Sequence, residues 1–309
     1  MKIVYFGTPE FAVGPLEALL AAGHTVTAVV TQPDRPRGRG GRTQETPVKA
    51  CAMRHNIPVF QPVKVKAPEA VEILKGFEAD VFVVAAFGQI LSMEILKMPK
   101  FGCLNIHASL LPAYRGSAPI QWVILNGEAK SGVTIMQMDA GIDTGDMLLK
   151  AAVDIAPEET DETLCCKLAE AGSRLIVEAL AKLEKGELVP EKQNDEESSY
   201  VKMLTKSMGQ IDWQKAAAEI DRRIRGLYSW PGAYTFWQGK LLKIRKACVS
   251  QDTADGEAGT VSSVTKEAIL VNTGEGKLIL QEVQLEGKKR MPVKDFLLGY
   301  RVGKGDKLG

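Results

Sequence analysis

Asn105 and His107 stand two residues apart in the stretch CLNIHASLLPAYRGSAP, residues 103–119. On an extended strand, residues two apart project from one face. An amide and an imidazole would then emerge side by side where the strand ends. That pair suits attack on a carbonyl carbon. Negative charge develops on the carbonyl oxygen, and each preorganised donor aimed at it lowers the barrier by roughly 3–4 kcal/mol. Asn105 supplies an amide donor, and His107 supplies a second, charged when the ring is protonated. With an amine as the attacking group, a proton must also leave. His107, or a water held by a nearby carboxylate, could accept it. Ser109 lies two residues beyond His107, yet no second base is evident to activate it, which argues against a serine hydrolase.

Carboxylates for that role lie in Asp139-Ala-Gly-Ile-Asp143-Thr-Gly-Asp146. Three acidic residues punctuated by glycines look like a calcium loop, but the terminal Glu of an EF-hand is missing. No metal is expected here. The residues alone leave open whether Asp139, Asp143 or Asp146 faces His107. A lone histidine at a strand end more often packs than reacts. Its company of Asn105, the SLLP wall and the acidic loop favours chemistry.

Several elements must position these groups. KIVYFG (2–7), TVTAVVT (25–31) and DVFVVAAF (80–87) read as buried strands, the last with both faces covered. Helices are expected at 10–22, 47–56, 68–76, 117–126 and 157–185, with Thr160 capping the last. The pattern predicts an α/β fold with a Rossmann-like, mostly parallel sheet flanked by helices. The turn after the first strand lacks the second and third glycines of GxGxxG, which argues against a bound dinucleotide. The strand at 80–87 ends at Phe87-Gly88-Gln89-Ile90, where Gly88 lets a ligand approach the backbone. Arg115 and Gly116 are read as opening a turn. Five short strands beyond Pro231, punctuated by glycines, predict a small OB-like β-barrel. The polar run PEKQNDEESSY reads as linker. The domains are therefore placed at 1–189 and 208–309, joined by 190–207.

Composition narrows the class. The chain has 309 residues, 45% hydrophobic and 25% charged, which is ordinary for a globular protein. Its formal charge of +1 hides an asymmetry: residues 1–200 hold 20 Lys+Arg against 26 Asp+Glu, and residues 201–309 hold 19 against 12. The back half carries a net +7 and suits a polyanion. The run TQPDRPRGRGGRT (31–43) holds Arg35, Arg37, Arg39 and Arg42 among glycines. It cannot bury a core, reads as a mobile loop, and suits a phosphate backbone. The cysteines form no CxxC pair and show no His-containing metal spacing, and Cys103 reads as core. No segment approaches the length of a membrane span or signal peptide, so a cytoplasmic protein is expected.

The N-x-H-x-S-L-L-P motif at 105–112, with DxGxDTGD at 139–146, resembles the folate-dependent formyltransferases. The resemblance runs from the first strand to the C-terminal barrel. It includes the TQPDRPRGRG loop, the GVTIMQMD strand and the IDW…R…WP entry to the second domain. Ala108 stands where glycine is common. The resemblance implies transfer of the formyl group of 10-formyltetrahydrofolate to the α-amine of methionine on initiator tRNA. It implies Asn105, His107 and Asp143 as catalytic residues. Ser109, Leu110, Leu111 and Pro112 would contact the folate, and Phe87, Gly88, Gln89, Ile90 and the 139–144 loop would hold its pterin end. Arg39 and Arg42 would meet the tRNA acceptor end. The enzyme would act without metal, as a cytoplasmic monomer. The competing reading within the family is formylation of a small amine, such as an amino-sugar nucleotide or glycinamide ribotide. A non-catalytic RNA-binding protein is disfavoured by the intact site.

Overall fold

The computed structural model describes residues 1–37 and 42–309, apart from the side chains of Arg37 and Arg42. In chain order the first elements are β1 (Lys2–Gly7), α1 (Val13–Ala21), β2 (Thr25–Val30), β3 (Arg35–Arg37), β4 (Arg42–Gln44), α2 (Pro47–Arg54), β5 (Val59–Phe60) and α3 (Pro68–Lys75). There follow β6 (Val81–Ala85), α4 (Met93–Leu96), β7 (Cys103–His107), β8 (Arg115–Gly116), α5 (Pro119–Leu125), β9 (Lys130–Gln137), β10 (Met147–Asp154), α6 (Asp161–Lys185) and β11 (Tyr200–Val201).

The apolar, β-branched runs form the centre of a seven-stranded sheet of order β10-β9-β7-β6-β1-β2-β5. From β5 to β7 the neighbours are parallel, as continuous apolar strands covered on both faces require. β9 and β10 close the sheet antiparallel. The order reverses at β1, so the carboxyl ends of β1 and β6 border the crevice where such sheets bind ligands. The Phe6 ring packs 5.2 Å from Phe82 and 5.4 Å from Phe87, centroid to centroid. Each such pair adds about 0.5–1.5 kcal/mol beyond its burial. The contact anchors Phe87 in the core and so fixes where residues 88–90 leave the sheet.

Packing requires a glycine at position 7. A Cβ there would lie 2.8 Å from Ala12 Cβ, under the helical turn that precedes α1. The described flanks of the basic run pair as the β3–β4 hairpin. Asp34 anchors the entry, since Lys49 and Gln61 both donate to its carboxylate and hold it below the usual carboxylate range. Arg39 lies outside the described residues. Arg115 and Gly116 form β8, which pairs in parallel with β11.

The chain divides into two compact units. The first comprises Met1–Pro119, Lys130–Asp154 and Cys165–Val201, and the second Ile120–Ala129, Ile155–Leu164 and Lys202–Gly309. The polar stretch that reads as linker is thus structured in its first part, through β11. The second unit contains α7 (Ala217–Gly226), β12 (Tyr234–Trp237), β13 (Lys240–Val249), β14 (Val261–Val264), β15 (Ile269–Asn272), β16 (Lys277–Leu285), β17 (Met291–Pro292) and α8 (Val293–Gly299). Its antiparallel sheet, β12-β13-β16-β15-β14 with β17 beside β16, forms a half-barrel. Sequence patterning missed α8. Val293 and Phe296 are its buried positions, and Phe296 lies 5.6 Å from the Trp237 ring. No helix among the described residues is long and apolar enough to cross a membrane.

Candidate active site

Asn105 and His107 leave β7 on one face, and a single carboxylate oxygen meets both. Asp143 Oδ1 lies 3.5 Å from Asn105 Nδ2 and 3.7 Å from His107 Nδ1. A carboxylate oxygen only accepts, so Asn105 turns its NH2 toward the site. His107 Nε2 lies 3.0 Å from the Tyr114 carbonyl oxygen. A carbonyl only accepts, so Nε2 carries a proton, and Nδ1 is the nitrogen turned to Asp143. The His107 ring is buried, while Asn105 and Asp143 are half-buried.

The approach of Asp143 is less direct than strand adjacency suggests. β9 runs antiparallel to β7, with Leu104 opposite Gln137 and His107 opposite Thr134. The acidic loop therefore starts beside the beginning of β7, about 10 Å along the strand from His107. It must fold back over the sheet face, and two glycines permit this. A Cβ on Gly145 would lie 1.8 Å from the Gln137 carbonyl oxygen, and one on Gly141 would lie 2.0 Å from Thr144 Oγ1. Asp139 ties the loop to itself, accepting from Gly141 N at 3.0 Å and Thr144 Oγ1 at 2.7 Å. Asp143 is the carboxylate that faces the histidine. Its Oδ2 accepts from the Gly116 N–H at 2.8 Å.

Backbone strain gathers around these groups. Ala86, Tyr114, Ala118 and Asp143 have φ of +47°, +60°, +63° and +55°, a region that residues with a Cβ rarely adopt. Such conformations persist only where surrounding contacts impose them.

The remaining residues singled out from the sequence separate into committed and available groups. The Ser109 hydroxyl is buried and donates to the Ala113 carbonyl oxygen at 2.7 Å, so it holds a turn. Leu111 packs with Met136 and Met147 in a small apolar cluster. Phe87 is core, and its carbonyl accepts from Thr8 Oγ1 and Gln32 Nε2, tying together the ends of β1, β2 and β6. The Gln89 amide is engaged with Val65 N and the Pro62 carbonyl oxygen. Leu110 and Pro112 are half-buried, and Gly88 and Ile90 are exposed. Burial pushes the Cys103 thiol up to about 12, so it stays protonated and packs as a hydrophobe.

One constellation escaped the sequence reading, and the convergence of the basic hairpin 240–246 and turn 288–290 on a tyrosine emerges only in the fold. Cys51 and His55 lie one helical turn apart, a spacing that reading overlooked, and α1 brings Glu17 to them. The three potential ligand atoms lie within 4.8 Å of one another. Arg54 Nη2, 3.1 Å from Glu17, already neutralises that carboxylate and opposes a cation there. In the second unit, β13 and the turn after β16 converge on Tyr228. The guanidinium carbons of Arg245 and Arg290 lie 4.4 and 5.4 Å from the Tyr228 ring centroid. Lys240, Lys246, Lys288 and Lys289 are exposed on these two hairpins.

Comparison with known proteins places the chain in a family. A family profile described as formyl transferase matches residues 1–180, and one described as formyl transferase, C-terminal domain, matches residues 203–301. The chain belongs to the formyl transferase family and is an enzyme of that class. Proteins named methionyl-tRNA formyltransferase are its relatives over the full length. The one from Agathobacter rectalis is 51% identical across 99% of this chain and 98% of its own. The one from Citrifermentans bemidjiense is 50% identical across 100% of this chain and 96% of its own. Among solved structures, an N-formyltransferase from Helicobacter canadensis, in complex with folinic acid and dTDP-3-aminofucose, aligns with a TM-score of 0.70 at 22% identity, covering 91% of this chain and 99% of its own. HypX from Aquifex aeolicus in complex with tetrahydrofolic acid aligns at 0.65 and 18% identity, over 97% of this chain and 47% of its own. At such identities the likeness shows the fold alone.

Proposed function

We propose that this formyltransferase moves the formyl group of 10-formyltetrahydrofolate to the α-amine of methionine carried by initiator tRNA, acting as a cytoplasmic monomer. The observation that carries the chemistry is the shared oxygen: Asp143 Oδ1 faces both Asn105 Nδ2 and His107 Nδ1. Asn105 donates its amide proton to the carbonyl oxygen as negative charge develops there. His107 Nδ1 accepts a proton from the attacking amine, and the resulting imidazolium sits against Asp143. His107 then returns that proton to the leaving nitrogen, so the enzyme ends the cycle unchanged. The folate cosubstrate supplies the formyl carbon.

A flat heterocycle with polar edges needs exposed main chain beside apolar side chains. The 86–90 and 139–144 segments fit that need. Ala86 and Gly88 turn with positive φ, and Ile90 and Ile142 stand 64% and 57% exposed on their loops. Leu110 and Pro112 provide further apolar surface. Burial of Ser109 and Leu111 gives them a supporting part behind that wall.

Arg245 over the Tyr228 ring and the exposed Lys240, Lys246, Lys288 and Lys289 of the second unit support binding of an RNA backbone, while Arg290 is already paired with Glu282. This basic surface also distinguishes a tRNA substrate from a small amine, which would have no use for it. Arg39 and Arg42, in the basic run 31–43, add two contacts to the RNA backbone. Changing both to Gln should weaken binding of charged initiator tRNA and lower the slope of log Kd against log salt by roughly 1.5. An unchanged slope would take these two arginines off the tRNA.

A further inference from the structure

We propose that Gln193, backed by Arg115, is a positioning residue for formyl transfer: it holds Asp143 in the backbone conformation that presents Oδ1 to Asn105 and His107. The proposal rests on the reading of those three residues as the reactive site.

Asp143 has φ +55°, which is disfavoured for a residue with a Cβ. The loop's own hydrogen bonds, from Gly141 and Thr144 to Asp139, do not act on the Asp143 peptide. Gln193 does. Its Nε2 donates to the Asp143 carbonyl oxygen at 2.8 Å and to the Gly145 carbonyl oxygen at 2.7 Å. Both amide protons are thus spent on the chain immediately around the carboxylate.

The direction of that amide is imposed from behind. Arg115 Nε lies 2.9 Å from Gln193 Oε1. A guanidinium has no acceptor, so Oε1 must face it and the NH2 must face the loop. Arg115 is itself 2% exposed, one of the largest fully buried side chains. Its Nη1 donates to Tyr200 Oη at 3.1 Å and its Nη2 to Asp195 Oδ1 at 2.9 Å. The next residue, Gly116, donates its N–H to Asp143 Oδ2. β8 therefore fixes the carboxylate directly through Gly116 and its backbone through Arg115 and Gln193. Gln193 touches no reacting atom.

Gln193→Glu separates positioning from bulk. Glutamate keeps the length and the Arg115 partner but replaces a two-proton donor by an acceptor facing two carbonyls. The experiment is a double-mutant cycle on kcat, with 10-formyltetrahydrofolate and charged initiator tRNA saturating, using wild type, Gln193→Glu, Asp143→Asn and the pair. Gln193→Glu should lower kcat about 100-fold in the wild-type background, as small misplacements of reacting groups do. With Asp143→Asn already present it should cost less than about 3-fold, because no carboxylate remains to be positioned. The pH profile of kcat for Gln193→Glu should also take the shape of the Asp143→Asn profile. A merely structural role would lower the rate and leave that shape unchanged. Wild-type kcat in Gln193→Glu, or the full loss repeated in the Asp143→Asn background, would overturn the proposal. Should Gln193→Glu fail to fold, Gln193→Met carries the same expectation through the same cycle. Asp143→Asn turning over at the wild-type rate would instead sink the reading of the site, and this proposal with it.

Discussion

Replacing His107 by alanine should reduce kcat for formyl transfer by about 1,000-fold, the middle of the range for a positioned acid–base group. The size follows from the geometry. Nε2 is held by the Tyr114 carbonyl oxygen, so Nδ1 is the ring nitrogen left for proton traffic, and it is the nitrogen that faces Asp143 Oδ1. The variant also removes one hydrogen bond within the fold, a loss of about 1 kcal/mol. Thermal stability should therefore fall modestly while turnover collapses. Binding of charged tRNA, which falls to the basic surfaces, should stay within about 3-fold of wild type. Steady-state kinetics and filter binding on one preparation separate the two. Near-normal turnover would remove the imidazole from the mechanism.

Gly145→Ala should be almost as damaging, from a residue with no chemistry of its own. An added Cβ would lie 1.8 Å from the Gln137 carbonyl oxygen and 3.0 Å from its carbon, both backbone atoms of a strand in the central sheet. The strand cannot yield, because Gln137 N also bonds the Asp146 carbonyl oxygen and β7 pairs on its other side. The loop must lift, and Asp143 lifts with it. Overpacking of this kind costs about 1–3 kcal/mol of stability. The catalytic cost should be larger, more than about 100-fold in kcat, because the carboxylate leaves both Asn105 and His107. Gly299→Ala is the control: nothing lies within 4 Å of a Cβ there, and turnover should not change. If Gly145→Ala retained wild-type turnover, the folded-back loop would not be what places Asp143.

Much of this was legible in the chain itself. The apolar runs at β1 and β6 announce a buried parallel sheet because β-branched residues without alternation fit strands covered on both faces. The two-residue spacing of Asn105 and His107 carries over directly, since a strand's pleat fixes which side chains share a face. Strand direction is a different matter. Nothing local to GVTIMQM says that β9 runs antiparallel to β7, so the fold-back of the acidic loop was hidden, and with it the need for Gly145. The pairing of Arg115 with Gln193 was invisible for a related reason. They are 78 residues apart, and the segment holding Gln193 is polar throughout. Composition reports preference for water, and it cannot report that a buried guanidinium awaits those polar groups. The helix α8 was missed because it is short and rests on two buried apolar positions, Val293 and Phe296, of which Phe296 meets Trp237 only in the folded unit. Cys51 and His55 show the same limit, since their spacing gains a third ligand atom only when α1 packs on α2.

The central claim is that the Asn105–His107–Asp143 site formylates an amine delivered on RNA. The most direct test is a competition at fixed 10-formyltetrahydrofolate among charged initiator tRNA, charged elongator tRNA and an amino-sugar nucleotide, with formylated products quantified by mass spectrometry. The account predicts formyl-methionyl initiator tRNA as the dominant product, with its yield falling steeply as salt rises. Comparable or preferred formylation of the amino-sugar nucleotide, insensitive to salt, would contradict it.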